Sequence, residues 1–437
     1  MSEGGRALGD PPRSELRRLL VADRGAAALR ARRWGEAARV EIVALIADED
    51  GDALWPDDVD FAVYVPRGEG PWPAPDRVLA AAYDAGCDAI HPGFTALGRT
   101  TAMVELLSAS ALAWAGAGHH ALGVCSDRSV TRSIAEEIGL QVVPASLPIL
   151  DEAQGQVWTA RVGLPVRLRP AKDGGGARRV VREPAEVGPA LQAALADGPV
   201  IIERLVLGAR EIEVPVLWDG VAAPLTLGDR DLTVHDTAGR VVVEAPAPGL
   251  SDKTREQMAQ AAAALVKAIQ LRGLCAVRFL VAPDGRPYLL QVIPGLSPWH
   301  AVTEALFAID LFDAQLRLAT GDGLRIEATD LVPAGHHVWM RLRAEGEGEL
   351  LELPDMELRR DMALVVGDLV SAGDELGAVV VGAPTRQAAI VRARASLDGP
   401  LTPGVPLDRR ALDQVFDSVA FWGGPLHREA VARLIGD

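Results

Sequence analysis

Short apolar runs alternate with longer amphipathic stretches through the first part of the chain. Short apolar runs are typical of strands, and stretches with an apolar residue at every third or fourth position are typical of helices. The pattern predicts strands at Leu16–Ala22, Val40–Ile46 and Ala89–His91, and helices at 26–39, Val78–Ala85 and Thr101–Ala111. Strands and helices that alternate in this way predict a parallel, doubly wound sheet, which we place at residues 16–124.

A second region, at residues 125–325, begins with a predicted helix at Arg128–Ile138, for which Ser126 or Asp127 supplies the N-cap. Strands follow at Leu164–Leu168, Val200–Leu207, Gly273–Leu280 and Pro287–Val292. The third region, at residues 326–437, is predicted to contain strands at Gly335–Leu342, Ala363–Val366 and Ala378–Val381 and two helices at Asp408–Phe416 and Leu426–Ile435. The predicted fold class is therefore α/β, and in part α+β.

Composition and charge mainly restrict the classes of partner that the chain is expected to bind. The 437 residues suffice for two to three domains, and the net charge of −16 disfavours nucleic acid or an anionic membrane as the main partner. Residues 1–15 are polar and rich in Gly and Pro, so we predict a disordered leader there. Cys87, Cys125 and Cys275 lie singly in apolar sequence, which predicts reduced, buried thiols and a cytoplasmic location.

A glycine triplet, Gly174–Gly176, follows the predicted strand at Leu164–Leu168 and is a candidate anion site. Three successive glycines allow the backbone N–H groups to curve around an anion, and Arg169 adds positive charge. A triplet of this kind in a hairpin also serves as a flexible turn. The next predicted strand, Val200–Leu207, carries Glu203 in its middle, and this strand-loop-strand order is typical of the lid and hinge of an ATP-grasp module.

Four segments resemble those of biotin carboxylase, the ATP-grasp subunit of acetyl-, propionyl- and related CoA carboxylases. They are Ala22–Gly25 (ADRG), Ile90–Phe94 (IHPGF), Glu244–Gly249 (EAPAPG) and His300–Glu304 (HAVTE). The resemblance implies a doubly wound N-terminal domain, an ATP-grasp central domain with a lid and a mixed C-terminal domain. It also implies a reaction in which MgATP and bicarbonate carboxylate biotin on a carrier protein through a carboxyphosphate intermediate.

The resemblance also assigns candidate site residues. Arg341, and Arg240 in place of a lysine, would lie near biotin and the carboxylation site. The residues implied on the nucleotide are Arg128 and Arg169 in place of two lysines, the lid glycines Gly174, Gly175 and Gly176, the hinge acid Glu203, and Glu211, His235 and Leu280. ATP binding is thus compatible with the chain. Biotin would be attached to a separate protein, because the sequence has no Met-Lys-Met segment.

The same resemblance places Arg278 and Gln291 at the positions of two metal-binding carboxylates. The arginine that holds bicarbonate is replaced by Gly295, and the general base by Trp299. Mg²⁺ prefers oxygen ligands, and a guanidinium at ~4 Å with an effective dielectric constant of ~20 would repel it by roughly 8 kcal/mol. We therefore expect no magnesium ligand among these residues. Arg278 either contacts phosphates directly or pairs with an acid such as Glu213.

These replacements leave three functions open. The first is a catalytically impaired protein, a pseudoenzyme, that acts as a structural or regulatory partner of an acyl-CoA carboxylase. The second is an active biotin carboxylase, or a related carboxylate-amine or carbon ligase, with an arginine-rich site. The third is a sensor that binds ATP without metal. Expected partners are a second copy or an active paralogue in a dimer, a biotin carrier protein and a carboxyltransferase.

Overall fold

The computed structural model describes residues 16–68, 72–171, 179–353 and 359–436. The predicted leader at 1–15 and the glycines Gly174–Gly176 lie outside the described residues. Within the described ranges the predicted α/β architecture is confirmed. A parallel sheet, a small antiparallel sheet and a large antiparallel sheet follow one another along the chain.

The N-terminal sheet is parallel and combines with four helices. Its strands are β1 (Arg18–Val21), β2 (Glu41–Ile46), β3 (Phe61–Tyr64), β4 (Ala89–His91) and β5 (Ala113–Trp114), and the helices are α1 (Ala26–Ala38), α2 (Pro75–Asp84), α3 (Thr101–Leu107) and α4 (His119–Ser126). The strand order is β3-β2-β1-β4-β5. Helix α3 ends before the predicted Ala111, because the hydroxyl groups of Ser108 and Ser110 bond to the backbone and compete with helical hydrogen bonds.

The second region opens with helix α5 (Arg128–Glu137). The Asp127 side chain accepts hydrogen bonds from the backbone N–H groups of Ser129 (2.9 Å) and Val130 (3.4 Å), which confirms Asp127 as the N-cap. A small sheet with two helices follows: α6 (Glu152–Val162), β6 (Val166–Pro170), β7 (Arg179–Val181), α7 (Val187–Leu195) and β8 (Val200–Arg204). Strand β6 lies between β7 and β8 and carries Arg169 opposite the strand of Glu203.

The large sheet carries most of the candidate site residues. Its strands, in spatial order, are β16 (Pro287–Pro294), β15 (Gly273–Val281), β9 (Arg210–Trp218), β11 (Arg230–Asp231), β14 (Val242–Ala245), β17 (His336–Arg343), β21 (Glu375–Ala383) and β19 (Arg359–Met362), with β10 (Leu225–Thr226) also paired to β9. Helices α8 (Asp252–Ala268), α9 (His300–Phe307) and α10 (Leu311–Thr320) accompany it. The sheet continues across residue 325, because β14 pairs with β17.

The C-terminal part adds short hairpins and helices to this sheet. The remaining elements are β12 (His235–Asp236), β13 (Gly239–Arg240), β18 (Gly348–Glu349), β20 (Leu369–Val370), α11 (Arg386–Asp398), α12 (Arg410–Phe416), α13 (Val419–Gly423) and α14 (Arg428–Ile435). The strand predicted at Ala363–Val366 is wrong, since the strand ends at Met362 and a turn follows. The Asp368 carboxylate accepts the N–H of Val365 at 2.8 Å and holds that turn.

The prediction of buried, reduced thiols can be compared with the structure directly. Cys87, Cys125 and Cys275 are buried free thiols, as predicted. Burial raises the pKa of Cys87 to about 12 and holds the pKa of Cys275 well above its usual value, so both thiols stay protonated at neutral pH. In the part of the chain that the structure describes, no helix is long and apolar enough to cross a membrane.

Candidate active site

Three neighbouring strands of the large sheet bring the candidate metal positions together. Arg278 on β15 lies opposite Glu213 on β9 and opposite Gln291 on β16. Directly opposite residues of antiparallel strands lie on the same face of the sheet. The pairing register therefore places an arginine between an acid and an amide on one face.

Glu213 is the centre of this arrangement and is fully buried. Its carboxylate accepts hydrogen bonds from Nε of Arg278 at 2.6 Å, Nε of Arg230 at 2.7 Å and Nε1 of Trp299 at 3.1 Å. Burial alone would raise the pKa of Glu213, but the charges of Arg230 and Arg278 and these hydrogen bonds lower it to about 2. We call Glu213, Arg230, Arg278 and Trp299 the Glu213 cluster.

Arg278 is held from two sides within the cluster. Its Nη1 lies 3.5 Å from Glu211, and its guanidinium lies over the Trp299 ring, with the central carbon 5.5 Å from the ring centroid. An aromatic face attracts a cation electrostatically. The hypothesis that Arg278 pairs with Glu213 is confirmed. The tryptophan at the expected base position thus contacts both members of that pair.

Arg230 belongs to the site although the sequence analysis did not single it out. It is buried, and besides Glu213 it donates hydrogen bonds to Oγ1 of Thr303 and Oγ of Ser297, each at 3.1 Å. The available signal was an arginine between two aspartates, at positions 229 to 231, inside an otherwise apolar stretch. Charges in such a stretch are buried only when they are paired.

The candidate carboxylation residues also pair with acids. Arg240 donates to Oε1 of Glu211 and to the carbonyl oxygen of Leu232, both at 2.5 Å. His235 lies opposite Arg240 in the β12–β13 hairpin, with Nδ1 2.8 Å from the carbonyl oxygen of Thr233. Burial, followed by the charge of Arg240, lowers the pKa of His235, so this imidazole is neutral at pH 7.

Arg341 pairs with the same hairpin. Its Nη2 donates to Oδ2 of Asp236 at 2.6 Å, and its side chain is largely buried. Asp236 also accepts the backbone N–H groups of Ala238 and Gly239, which fixes the carboxylate in the turn. The structure therefore brings Arg240 and Arg341 to one hairpin, with an acid bound to each.

Two of the arginines predicted on the nucleotide, Arg128 on α5 and Arg169 on β6, lie beside other candidate residues. Nη2 of Arg128 donates to Oε1 of Gln291 at 2.9 Å, and Nε of Arg169 lies 2.6 Å from Oε2 of Glu203. Leu280 is buried in an apolar cluster with Val143 and Ala209, which is separate from these charges. The structure thus places Arg128 beside the amide at an expected metal position, and Arg169 beside the expected hinge acid.

Arg128, Glu203 and Gln291 line a cavity of about 30 Å³. A single water needs roughly 10–15 Å³ when a cavity is measured in this way, whereas pockets for small ligands have about 300–1,000 Å³. The described residues therefore leave room here for only one or two waters. Residues 172–178, which include the predicted glycine grip, lie outside the described part of the chain.

The loop between β16 and α9 carries the positions expected for the bicarbonate arginine and the general base, and its course depends on a glycine. Gly295 has φ of +87°, and its N–H donates to the carbonyl oxygen of Leu274 at 2.8 Å. Only glycine adopts this conformation without strain, so the position where the resemblance implies an arginine forms a turn. Ile293, two residues before this turn, is buried in the sheet.

His119, His336 and His337 each lie beside a different polar partner. His119 lies 3.0 Å from Glu105 at the surface, His336 lies 3.0 Å from buried Glu244, and His337 faces the carbonyl oxygen of Ala334. Across the described ranges, no group of three or more His, Cys, Asp and Glu side chains is arranged to hold a metal ion.

Two family models match the chain. The model described as the N-terminal domain of biotin carboxylase covers residues 15–122, and the model described as the ATP binding domain of the carbamoyl-phosphate synthase L chain covers residues 127–327. Together they cover the parallel sheet and the strands that carry the Glu213 cluster.

Curated relatives match over nearly the same length. The chain is 31% identical over 416 residues to the chloroplastic biotin carboxylase of Arabidopsis thaliana, an alignment that covers 89% of this chain and 77% of the relative. It is 28% identical over 421 residues to the biotin carboxylase of Nostoc sp., covering 89% and 92% respectively.

Solved structures agree with this relationship. A biotin carboxylase complex with a β,γ-ATP ligand from Campylobacter jejuni superimposes with a TM-score of 0.89 at 25% identity, covering 96% of this chain and 99% of that one. The biotin carboxylase domain of a single-chain bacterial carboxylase superimposes with a TM-score of 0.83 at 28% identity, covering 95% and 97%.

Proposed function

The chain belongs to the biotin carboxylase family, but we propose that it does not itself carboxylate biotin and acts instead as a structural or regulatory partner of an acyl-CoA carboxylase. The observation that carries the proposal is the ion pair between Arg278 and buried Glu213, closed by the hydrogen bond from Trp299. In this proposal the Glu213 cluster stabilises the packing of β9, β11 and β15, and its residues take no part in a reaction.

The residues at this site do not fit a magnesium ion. Glu211 and Glu213 are the nearest carboxylates to Arg278, and guanidinium groups bind both of them. The carbonyl oxygen of Gln291 accepts a hydrogen bond from Arg128. A divalent cation needs several oxygen ligands and would meet a fixed positive charge here. We therefore derive no step of phosphoryl transfer through a metal.

The alternative of an active, arginine-rich ligase requires guanidinium groups that can contact phosphates. Arg169, Arg240 and Arg341 lie within ion-pair distance of Glu203, Glu211 and Asp236, respectively. A phosphate would have to replace each of these acids at a cost in pairing energy. This pairing favours the structural role over the ligase.

The partners of the proposal follow from the family. Biotin carboxylases work with a biotin carrier protein and a carboxyltransferase and commonly form dimers. We propose that this chain forms a homodimer, or a heterodimer with an active paralogue in the cytoplasm. Co-expression with an active biotin carboxylase of the same cell, followed by sizing of the purified complex, tests this directly. Recovery of this chain and the active biotin carboxylase as two separate homodimers, with no mixed dimer, would contradict the heterodimer.

A turnover assay tests the proposed lack of catalysis. The purified chain is mixed with ATP, Mg²⁺, bicarbonate and free biotin, and ADP release is measured. The Nostoc biotin carboxylase serves as the active control. We expect no ADP release that depends on both biotin and bicarbonate. Release that requires both substrates would overturn the proposal and favour the ligase.

Titration calorimetry with ATP separates the sensor from the other two functions. Heat of binding that persists in EDTA supports a metal-independent nucleotide sensor. Heat that requires Mg²⁺ supports an enzyme. No heat in either buffer supports the structural partner, which is the outcome that the proposal predicts.

A further inference from the structure

A cavity of about 710 Å³ lies at the N-terminal end of strand β15, away from the Glu213 cluster in the middle of that strand. Arg272 and Gly273 line it where the strand begins, and Arg278 follows six positions after Arg272. A strand rises about 3.3 Å per residue, so the two sites are roughly 20 Å apart. The cavity is therefore separate from the candidate active site, and its volume lies within the range of small-ligand pockets.

Apolar side chains form most of the cavity wall. They include Leu107 of α3, Trp114 of β5 and Leu318 of α10, so the N-terminal sheet and the second region both contribute. The Trp114 ring is fixed in place. Its Nε1 donates to the carbonyl oxygen of Ala117 at 3.1 Å, and a Cβ at Gly116 would lie only 2.5 Å from the ring. This wall is thus formed before any ligand arrives.

Arg272 supplies a positive charge at the wall of the cavity. The Arg272 side chain passes Gly220 and donates from Nη2 to the carbonyl oxygen of Leu318 at 3.0 Å. Its Nε–H is buried and makes no hydrogen bond within the described part of the chain. This Nε is closed to solvent, so the cavity meets the rest of the Arg272 side chain, which is only partly buried and carries the positive charge.

The charges around the cavity restrict the ligand further. Arg272 contributes a positive charge, whereas Glu105 contributes a negative charge and lies 3.0 Å from His119. A ligand with two negative charges, such as a phosphate monoester, would meet Glu105 as well as Arg272. A single carboxylate needs only the guanidinium.

We propose that this cavity binds a small monocarboxylic acid with an apolar body, whose carboxylate pairs with Arg272 and whose body packs on Trp114. This site is independent of the proposed function, because none of its residues belongs to the Glu213 cluster. A carboxylate on a guanidinium forms a charge-assisted hydrogen bond, and the apolar body removes the surfaces of Trp114 and Leu318 from water.

Calorimetric titration of the full chain with decanoate, at concentrations where it forms no micelles, tests the proposal. Decan-1-ol is the matched uncharged probe. We expect decanoate to bind at one site per chain and decan-1-ol to bind about tenfold more weakly, because it lacks the charge. Failure of decanoate to bind, or equal binding of both probes, would overturn the proposal.

Two variants locate the site. Arg272→Gln should weaken decanoate about tenfold and leave decan-1-ol unchanged. Gly118→Leu should block both probes, because Gly118 lines the cavity with φ of −73° and open space around its Cβ position.

Gly123→Leu, which also meets open space on the same helix, is the matched control and should bind like the parent. Unchanged binding by folded Gly118→Leu would contradict the assignment, even if Arg272→Gln does not fold.

Discussion

Two buried glutamates of this molecule are held in nearly the same way. Glu213 is bound by Arg230, Arg278 and Trp299 at the candidate active site. Glu304 lies on helix α9, which begins directly after Trp299. Both side chains are almost completely buried, and in both cases burial would raise the pKa whereas neighbouring charges lower it to about 2.

Glu304 has a purely structural setting. It is bound by Arg30 of α1, by Arg359 of β19 and by the N–H of Leu311, and His300 lies 3.7 Å away. These partners come from α1 of the N-terminal region, from β19 at one end of the large sheet and from α10. The acid therefore joins three parts of the fold.

The comparison bears on the role of the Glu213 cluster. A buried acid that accepts two guanidinium groups is neutralised and fixed, and it has no remaining role as a metal ligand or base. The surroundings of Glu213 have the chemistry of the interdomain contact at Glu304. Under the proposed function, the Glu213 cluster contributes to holding the fold together.

Removing either acid should have the largest effect. We expect Glu213→Gln to lower the free energy of unfolding by about 3–5 kcal/mol, because two largely buried guanidinium groups lose a counter-charge. Glu304→Gln should have a smaller effect in the same direction, because Arg30 and Arg359 keep Asp310 and Asp361 as partners. Urea unfolding followed by circular dichroism measures both. If Glu213→Gln costs less than about 1 kcal/mol while Glu304→Gln is severe, the two sites are not alike and Glu213 keeps a catalytic character.

Acid should weaken both sites in the same pH range. The pKa of each glutamate lies at about 2 in the folded chain against the usual 4.5, so the stability it confers is present above pH 4.5 and is lost as the pH falls towards 2. This corresponds to about 3 kcal/mol for each group. Urea unfolding at a series of pH values should show a smaller loss in Glu213→Gln than in the parent chain, and an identical loss would contradict the pairing.

Carboxylates at the two expected metal positions should make the Glu213 site, unlike the Glu304 site, respond to Mg²⁺. The double variant Arg278→Glu with Gln291→Glu places carboxylates beside Glu213, so we expect Mg²⁺ to stabilise this variant and not the parent. Saturation to 100 times the dissociation constant would add about 2.7 kcal/mol. Thermal unfolding with and without Mg²⁺ measures the effect.

Arg286→Glu is the control for that experiment, because Arg286 lies exposed in the turn before β16 and pairs with Asp284. It should show no response to Mg²⁺. A parent chain that Mg²⁺ stabilises as strongly as the double variant would argue against the charge of Arg278 as the decisive feature.

The tryptophan contact should give the smallest effect. Trp299→Phe keeps a ring near Arg278 but removes the donor to Glu213, so we expect a loss of about 1–2 kcal/mol in urea unfolding. Trp339 packs against Trp299 with ring centroids 6.3 Å apart, and its buried Nε1 makes no hydrogen bond among the described residues. Trp339→Phe therefore provides the control, and equal losses in both variants would show that the donor contributes nothing.

The sequence predicted some of this site for a clear reason. Arg278 is the only charged residue of the apolar strand β15, and a charge in a buried strand must find a partner, whereas Glu213 was offered as that partner through the family resemblance. Arg230 was not predictable in the same way. The charged segment Asp229–Asp231 offers several pairings, and only the register of a two-residue strand directs Arg230 to Glu213 while the aspartates pair with Arg210 and Arg255.

The same limit applies to the fold. The helix cap at Asp127 depends on neighbours in sequence and was predicted, whereas the end of β19 depends on the turn fixed by Asp368. That carboxylate also reaches the N–H of Leu54, more than three hundred positions away. Contacts across such separations are set by packing of the whole domain and leave little local signal.

Electron paramagnetic resonance of Mn²⁺, used in place of Mg²⁺, tests the central claim most directly. Mn²⁺ is titrated into the parent chain with ATP present, and the double variant Arg278→Glu with Gln291→Glu serves as the positive control. We expect a protein-bound Mn²⁺ signal in the variant and none in the parent. A protein-bound signal in the parent that requires Glu213 or Gln291 would show that the site holds a metal despite Arg278.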